Sequence, residues 1–303
     1  MVEVDVHWMI VLENIPQATV ITLPNVETLS LHMTDGLQVY DITGYISCPR
    51  ARRIFLGYDI SDDCIVPGLE LFPSSVSWRT TLHQFAQSPV EEVTLEIESD
   101  NYGSTVTCYL TLRSLDTTVI KLTLRVSASN ANEEEFYIPF EEMHCEMFAR
   151  AHRTIRDHPL LSRVKRLRVR CRIATSNPHH FPRMADEVGR LFNSVGPLDE
   201  LIIHGCDLHI YVTPFLHPLE LGCMEESTIF PPTKELTISH PLMEVEEEEC
   251  FRATVELAKS QHTQGIPFDR VTIRAEKLPV GISEELERWV DTVNCYEEKY
   301  KKE

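Results

Sequence analysis

The chain has 303 residues and a formal net charge of -19, with 43% hydrophobic and 25% charged residues. That is a globular composition able to bury a sizeable core, and its acidity argues against wholesale binding to nucleic acid phosphates. Eleven glycines argue against Gly-rich nucleotide loops, and nine cysteines without a C-x-x-C pair fit buried thiols in a reducing compartment rather than a disulfide framework.

The N-terminal run MVEVDVHWMIVLEN has no basic segment and no long apolar core, so no secretory signal is expected. No 18-residue apolar stretch follows, so no membrane partner is expected, and the expected setting is cytoplasmic or nuclear. Further along, one pattern recurs: Φ-x-x-Φ-x-Φ, with Φ apolar or small. The copies are Val26, Leu29, Leu31; Ala51, Ile54, Leu56; Val90, Val93, Leu95; and Val119, Leu122, Leu124. Then come Val164, Leu167, Val169; Leu198, Leu201, Ile203; Thr233, Leu236, Ile238; and Phe268, Val271, Ile273. The last three follow steps of 34, 35 and 35 residues, which is the spacing of a drifted repeat architecture.

In each copy the ΦxΦ pair puts two side chains on one face of a short strand. The residues between them are Ser30, Phe55, Thr94, Thr123, Arg168, Ile202, Thr237 and Thr272. They face the other way and are mostly polar, as in a sheet covered on one side.

Helical faces alternate with the strands. They are Trp78, Leu82, Phe85 and Ala86 after Ser74 and Ser75; Met143, Met147, Phe148, Ala151 and Ile155; Met184, Val188, Leu191 and Phe192; and Phe251, Val255 and Ala258. A fifth face, Leu286, Trp289, Val290 and Val293, follows Ser283. Strand–helix alternation at this step predicts parallel strands. Residues 105–112, TVTCYLTL, break the rhythm and predict an antiparallel hairpin spanning about 105–126. Residues 127–135 read as a flexible acidic loop.

The stretches LPNVETLSL, PLDELIIHGCDL and PPTKELTISHP resemble degenerate leucine-rich repeats. FPPTKELTISHP, with the later AKSQHTQGIPFDRVTIR, is similar to the C-terminal repeats of F-box proteins from mushroom-forming fungi. The asparagine or cysteine that usually follows L-x-L is absent from nearly every copy; Cys206 is the one match. The resemblance implies an α/β, irregular leucine-rich-repeat-like solenoid over residues 1–303. Strands form the concave face, and residues 283–303 form a capping helix and tail. It also implies a protein–protein interaction scaffold, in the form of the substrate-recognition part of an F-box-type ubiquitin-ligase adaptor. No F-box is visible in the sequence, so a Skp-type adaptor is not an expected partner.

The expected binding positions are outward strand residues: Glu96, Arg125, Arg168, Arg170, His204, Thr237 and Arg274. They come from the strand reading, not from a motif. The basic segment SRVKRLRVRCR and the residues Lys121 and Arg125 stand against Glu91, Glu92 and Glu96. If their strands are neighbours, these charges either pair across strands or present a docking surface for an acidic partner segment.

No catalytic, cofactor-binding or metal residues are expected. His204, Cys206 and His209, with His179 and His180, match no zinc spacing. His144 and Cys145 diverge on a helix, so they make no nucleophile–base pair. The glutamate blocks, including Glu246 to Glu249, suit helix N-termini better than calcium. Two other readings stay open: an enzyme whose site is assembled from distant residues, and a non-functional fragment.

Overall fold

Alternation of apolar and polar residues lets a strand bury one edge of its pleat while wetting the other. The computed structural model describes residues 3–8, 21–34, 46–61, 90–99, 105–114, 119–127, 163–172, 181–204, 211–216, 230–239, 247–275 and 277–297. They form a mixed α/β fold whose strands are mostly parallel. Contacts divide the chain into two units, residues 1–154 and 155–303.

The first unit carries β1 (Glu3–Trp8), β2 (Ile21–Thr22), β3 (Thr28–Thr34), β4 (Ile46–Ser47), β5 (Arg53–Ser61), β6 (Val90–Ser99), β7 (Thr105–Ser114) and β8 (Val119–Ser127). β2 and β4 pair with each other in parallel. The remaining strands are ordered β1-β3-β5-β8-β7-β6. β1, β3, β5 and β8 are parallel neighbours. β8–β7 and β7–β6 are antiparallel.

The hairpin expected near 105–126 is therefore present, because the few residues between β7 and β8 cannot make a crossover. It belongs to a three-strand meander that also takes in β6. The Asp100-Asn101-Tyr102-Gly103-Ser104 linker is itself a turn signal. The β8 copy is also two residues out of the expected alignment: Ile54 stands level with Ile120, and Leu56 with Leu122. A shift of two keeps every side chain on its face, so alternation alone cannot detect it.

The second unit alternates β9 (Arg166–Arg172), α1 (Phe181–Ser194), β10 (Leu198–His204), α2 (Thr213–Leu216), β11 (Thr233–Ser239), α3 (Glu247–Thr263), β12 (Arg270–Ala275), α4 (Ile282–Leu286) and β13 (Thr292–Glu297). The five strands are parallel and lie in chain order. Here the repeat pattern is also the spatial register. Leu167, Leu201, Leu236, Val271 and Val293 stand level across the strands, and so do Val169, Ile203, Ile238, Ile273 and Cys295. From β9 to β12 both rows are buried. Each such side chain contributes roughly 1.5–3 kcal/mol by leaving water.

The helices bury matching faces: Val188, Leu191 and Phe192 from α1, and Phe251, Val255 and Ala258 from α3. An aromatic cluster joins helix to strand entry. The ring of Phe192 lies 5.5 Å from those of Phe215 and Phe230, and Phe230 lies 6.2 Å from Phe268. Proline marks the entry to β11, where no donor is needed. The Pro232 carbonyl accepts from the Leu198 N–H at 2.8 Å, and the Pro231 carbonyl accepts from the Thr233 hydroxyl at 2.8 Å. Glu247 to Glu249 open α3, where the sequence placed them.

α3 ends on Gly265, in the left-handed region at φ 78°. The Ile266 N–H donates to the Gln261 carbonyl and the Gly265 N–H to the His262 carbonyl; this is the Schellman arrangement. Nothing lies within 4 Å of a Cβ built at Gly265, so a side chain there strains the backbone without a clash. Gly265→Ala is expected to lower stability by about 1 kcal/mol. Urea denaturation checks this, and an unchanged midpoint would remove the cap's role.

The C-terminal end departs from expectation. The helical face expected through Trp289, Val290 and Val293 stops at Leu286, and Thr292–Glu297 is the strand β13. Val290, Val293 and Cys295 are a ninth copy of the repeat pattern, after a shorter step. Two faces expected to be helical, around Trp78–Ala86 and Met143–Ile155, lie outside the described residues, as does all but the first residue of the 127–135 loop.

Candidate protein-interaction surface

With one face buried from β9 to β12, the residues of opposite parity across β9–β13 line the other face, and they are exposed or half-buried. They form three rows across the strands. At the strand starts stand Arg166, Glu200, Glu235, Arg270 and Thr292. In the middle stand Arg168, Ile202, Thr237, Thr272 and Asn294. At the carboxyl ends stand His204, Ser239, Arg274 and Tyr296, with Arg170 next to His204 by continuation of the register.

The first row pairs its own charges. Arg166 lies 3.8 Å from Glu200, and Arg270 lies 3.0 Å from Glu235. Exposed pairs like these are worth about 0.2–1 kcal/mol. One residue earlier in each copy, Lys165, Asp199, Lys234 and Asp269 alternate in sign from strand to strand. Lys234 donates to Asp199 at 2.7 Å. That bond holds the Asp199 carboxyl below its ordinary range, and the same bond raises Lys234. Cross-strand pairing is thus the role of the charges at the strand starts.

The other two rows differ. Their ten positions hold three arginines and no carboxylate. Thr237 reaches back to the first row, its hydroxyl donating to Glu200 at 3.3 Å. The Arg274 guanidinium lies over the Tyr296 ring at 5.8 Å. Arg168 is exposed, while Arg170 and His204 are half-buried.

The structure therefore brings together five of the seven anticipated residues: Arg168, Arg170, His204, Thr237 and Arg274. Glu96 and Arg125 lie in the first unit, on β6 and β8. They are not on neighbouring strands, because β7 runs between them. Tyr109 of β7 takes the intermediate place, level with Glu96 on one side and Thr123 on the other. Lys121 Nζ sits 4.9 Å above its ring. Burial, then the charge of Glu98, pushes the Tyr109 hydroxyl up from its ordinary value. The expected basic-beside-acidic patch is therefore bridged by an aromatic side chain.

Tyr296 and Asn294 are not among the residues the sequence pattern singles out, because their segment also satisfies a helical period; the Val290, Val293, Cys295 spacing is the signal that points to them. Among the described residues no group of three or more His, Cys, Asp or Glu could hold a metal ion. His179, His180, Cys206, His209, His144 and Cys145 lie outside them. Among the described residues no helix is long and apolar enough to cross a membrane. Comparison with protein-family models, with curated proteins and with solved structures finds no match.

Proposed function

We propose that the half-exposed face of β9–β13 is a docking surface for another protein. One observation carries the reading. Five parallel strands turn one face outward, the opposite face being buried from β9 to β12, with five of the anticipated binding positions gathered on the outward face. The even register of these strands supports a leucine-rich-repeat-like solenoid as the frame. On that frame the chain acts as an interaction scaffold, in the form of the substrate-recognition part of an F-box-type ubiquitin-ligase adaptor or of a relative without the F-box.

The test is affinity capture from a native extract, with wild type and with the Arg168→Glu/Arg170→Glu pair. Arg170 is half-buried, so Arg168→Glu alone serves as a second variant, with circular dichroism confirming the fold of both. Wild type is expected to retain a specific protein that both variants lose. Retention of nothing, or retention unchanged by reversal, overturns the surface.

A further inference from the structure

β13 pairs with β12 on one side, and among the described residues no strand lies on its other side. The Thr292 N–H donates to the Asp269 carbonyl at 3.1 Å, so Thr292 turns its backbone toward β12. In a parallel ladder successive residues turn to opposite sides, so Val293 and Cys295 present their N–H and C=O groups along the outer edge. The core is also incomplete there. Val293 and Cys295 continue two apolar rows that are buried from β9 to β12, yet both are only half-buried. An edge with donors, acceptors and half-covered apolar side chains is a template for one more strand.

The charges at the strand entries specify that strand. Lys165, Asp199, Lys234 and Asp269 alternate in sign, and Lys234 donates to Asp199 at 2.7 Å. By continuation of the β12–β13 register, Asp291 stands level with Asp269. Two exposed aspartates therefore lie side by side where the alternation calls for a cation, and like charges so placed repel. Among the described residues no cation lies within ion-pair distance of Asp291. We infer that the outer edge of β13 takes an extended segment of another protein, parallel to β13, with a lysine or arginine level with Asp291 and apolar residues level with Val293 and Cys295. The chain's own β11 has this pattern: Lys234, Leu236 and Ile238 lie between the aspartate-led strands β10 and β12. The inference concerns the edge of the sheet and is independent of the docking surface proposed on its open face.

A second copy of the chain is the rival occupant. Pairing two β13 edges about a twofold axis normal to the sheet keeps both apolar rows on one face and makes the strands antiparallel. Centred on Asn294, that pairing sets Asp291 against Glu297; centred on Cys295, it sets Val293 against Glu297. The first opposes like charges and the second puts a carboxylate against the apolar row, so a second copy is disfavoured.

The probe is the β11 sequence PPTKELTISH, residues 231–240, as a peptide with blocked termini and a fluorophore, followed by anisotropy. Three altered peptides accompany it. One has Asp for Lys, one has Ser for both Leu and Ile, and one is N-methylated at the threonine between Leu and Ile, whose N–H faces β13 in the parallel register. The parent is expected to bind at least about tenfold tighter than each of these. N-methylation of the Leu, whose N–H faces away, is expected to change affinity less than about threefold. Asp291→Lys is expected to exchange the preference, weakening the Lys peptide and strengthening the Asp peptide about fivefold or more each. Asp291 is exposed, and circular dichroism checks that the variant keeps its fold. Arg168→Glu, on the open face of β9, is expected to leave binding unchanged. Failure of the parent peptide to bind overturns the inference. So do equal affinity for the Lys and Asp peptides, indifference to which residue is methylated, and equal loss with Arg168→Glu. Sedimentation of wild type as a dimer that excess parent peptide dissociates also overturns it, because the edge then belongs to a second copy.

Discussion

Phe192→Ala is expected to lower the stability of the second unit by about 3–5 kcal/mol. Phe192 is 1% exposed and stands on the last turn of α1. Its ring meets three others: Tyr211 at 6.3 Å, Phe215 at 5.5 Å and Phe230 at 5.5 Å. These rings belong to α2, to Tyr211 just before it, and to the entry of β11. Truncation removes the buried ring's transfer free energy and leaves a cavity that rigid neighbours cannot fill. It also removes edge-to-face and stacked geometry worth roughly 0.5–1.5 kcal/mol per pair. Phe192→Leu keeps most of the volume and should recover more than half of the loss. Urea denaturation followed by circular dichroism checks both. A loss under about 1 kcal/mol for the alanine variant would mean that the cluster is not the link between helix and sheet.

The second large effect appears in alkali. Cys108 of β7 is fully buried, level with Ile97 on one side and Leu124 on the other. Burial pushes its thiol up from 9.0 to about 12. Because the folded value is raised above the unfolded one, the contribution is fully present below about pH 9 and is lost as the pH rises toward 12. The slope lies between about 1 and 2 kcal/mol per pH unit, reaching on the order of 4 kcal/mol in total. The comparison is between wild type and Cys108→Ala, whose stability difference at pH 7 should shrink by about 1 kcal/mol at pH 10. A difference that stays constant with pH, or alkylation of native Cys108 as fast as a free thiol, would contradict this burial.

The second unit was largely legible in the sequence, and the reason is specific. In β9 to β12 the repeat copies keep their spacing and contain few other candidates for the apolar row, so pattern and register coincide. Leu167, Leu201, Leu236 and Val271 could be aligned from spacing alone. The first unit was less legible. In β8 four apolar residues alternate from Ile120 to Val126, so the motif fits equally well two residues earlier, as Thr117, Ile120 and Leu122. Period-2 alternation specifies a face but not a phase.

The neighbour relations of β6, β7 and β8 depended on turns rather than on periodicity. β13 was missed because Leu286, Trp289, Val290 and Val293 satisfy a helical period while Val290, Val293 and Cys295 satisfy the strand pattern. The β-branched residues Thr292 and Val293 favour the strand, and pairing with β12 selects it. Of the candidate surface, the parity of each residue was readable, because it follows from the buried row. Which residues were neighbours was not, because that depends on strand order.

The charges at the entries of β9 to β12 run Lys165, Asp199, Lys234, Asp269, one sign per strand and alternating. This alternation constrains how such a chain can lengthen. Duplicating one strand–helix segment within that stretch would place two like charges side by side, which is unfavourable. Duplicating two adjacent segments together would preserve the alternation. Growth by pairs is therefore the electrostatically permitted route in this part of the molecule, and the parity of the charge marks each strand as odd or even.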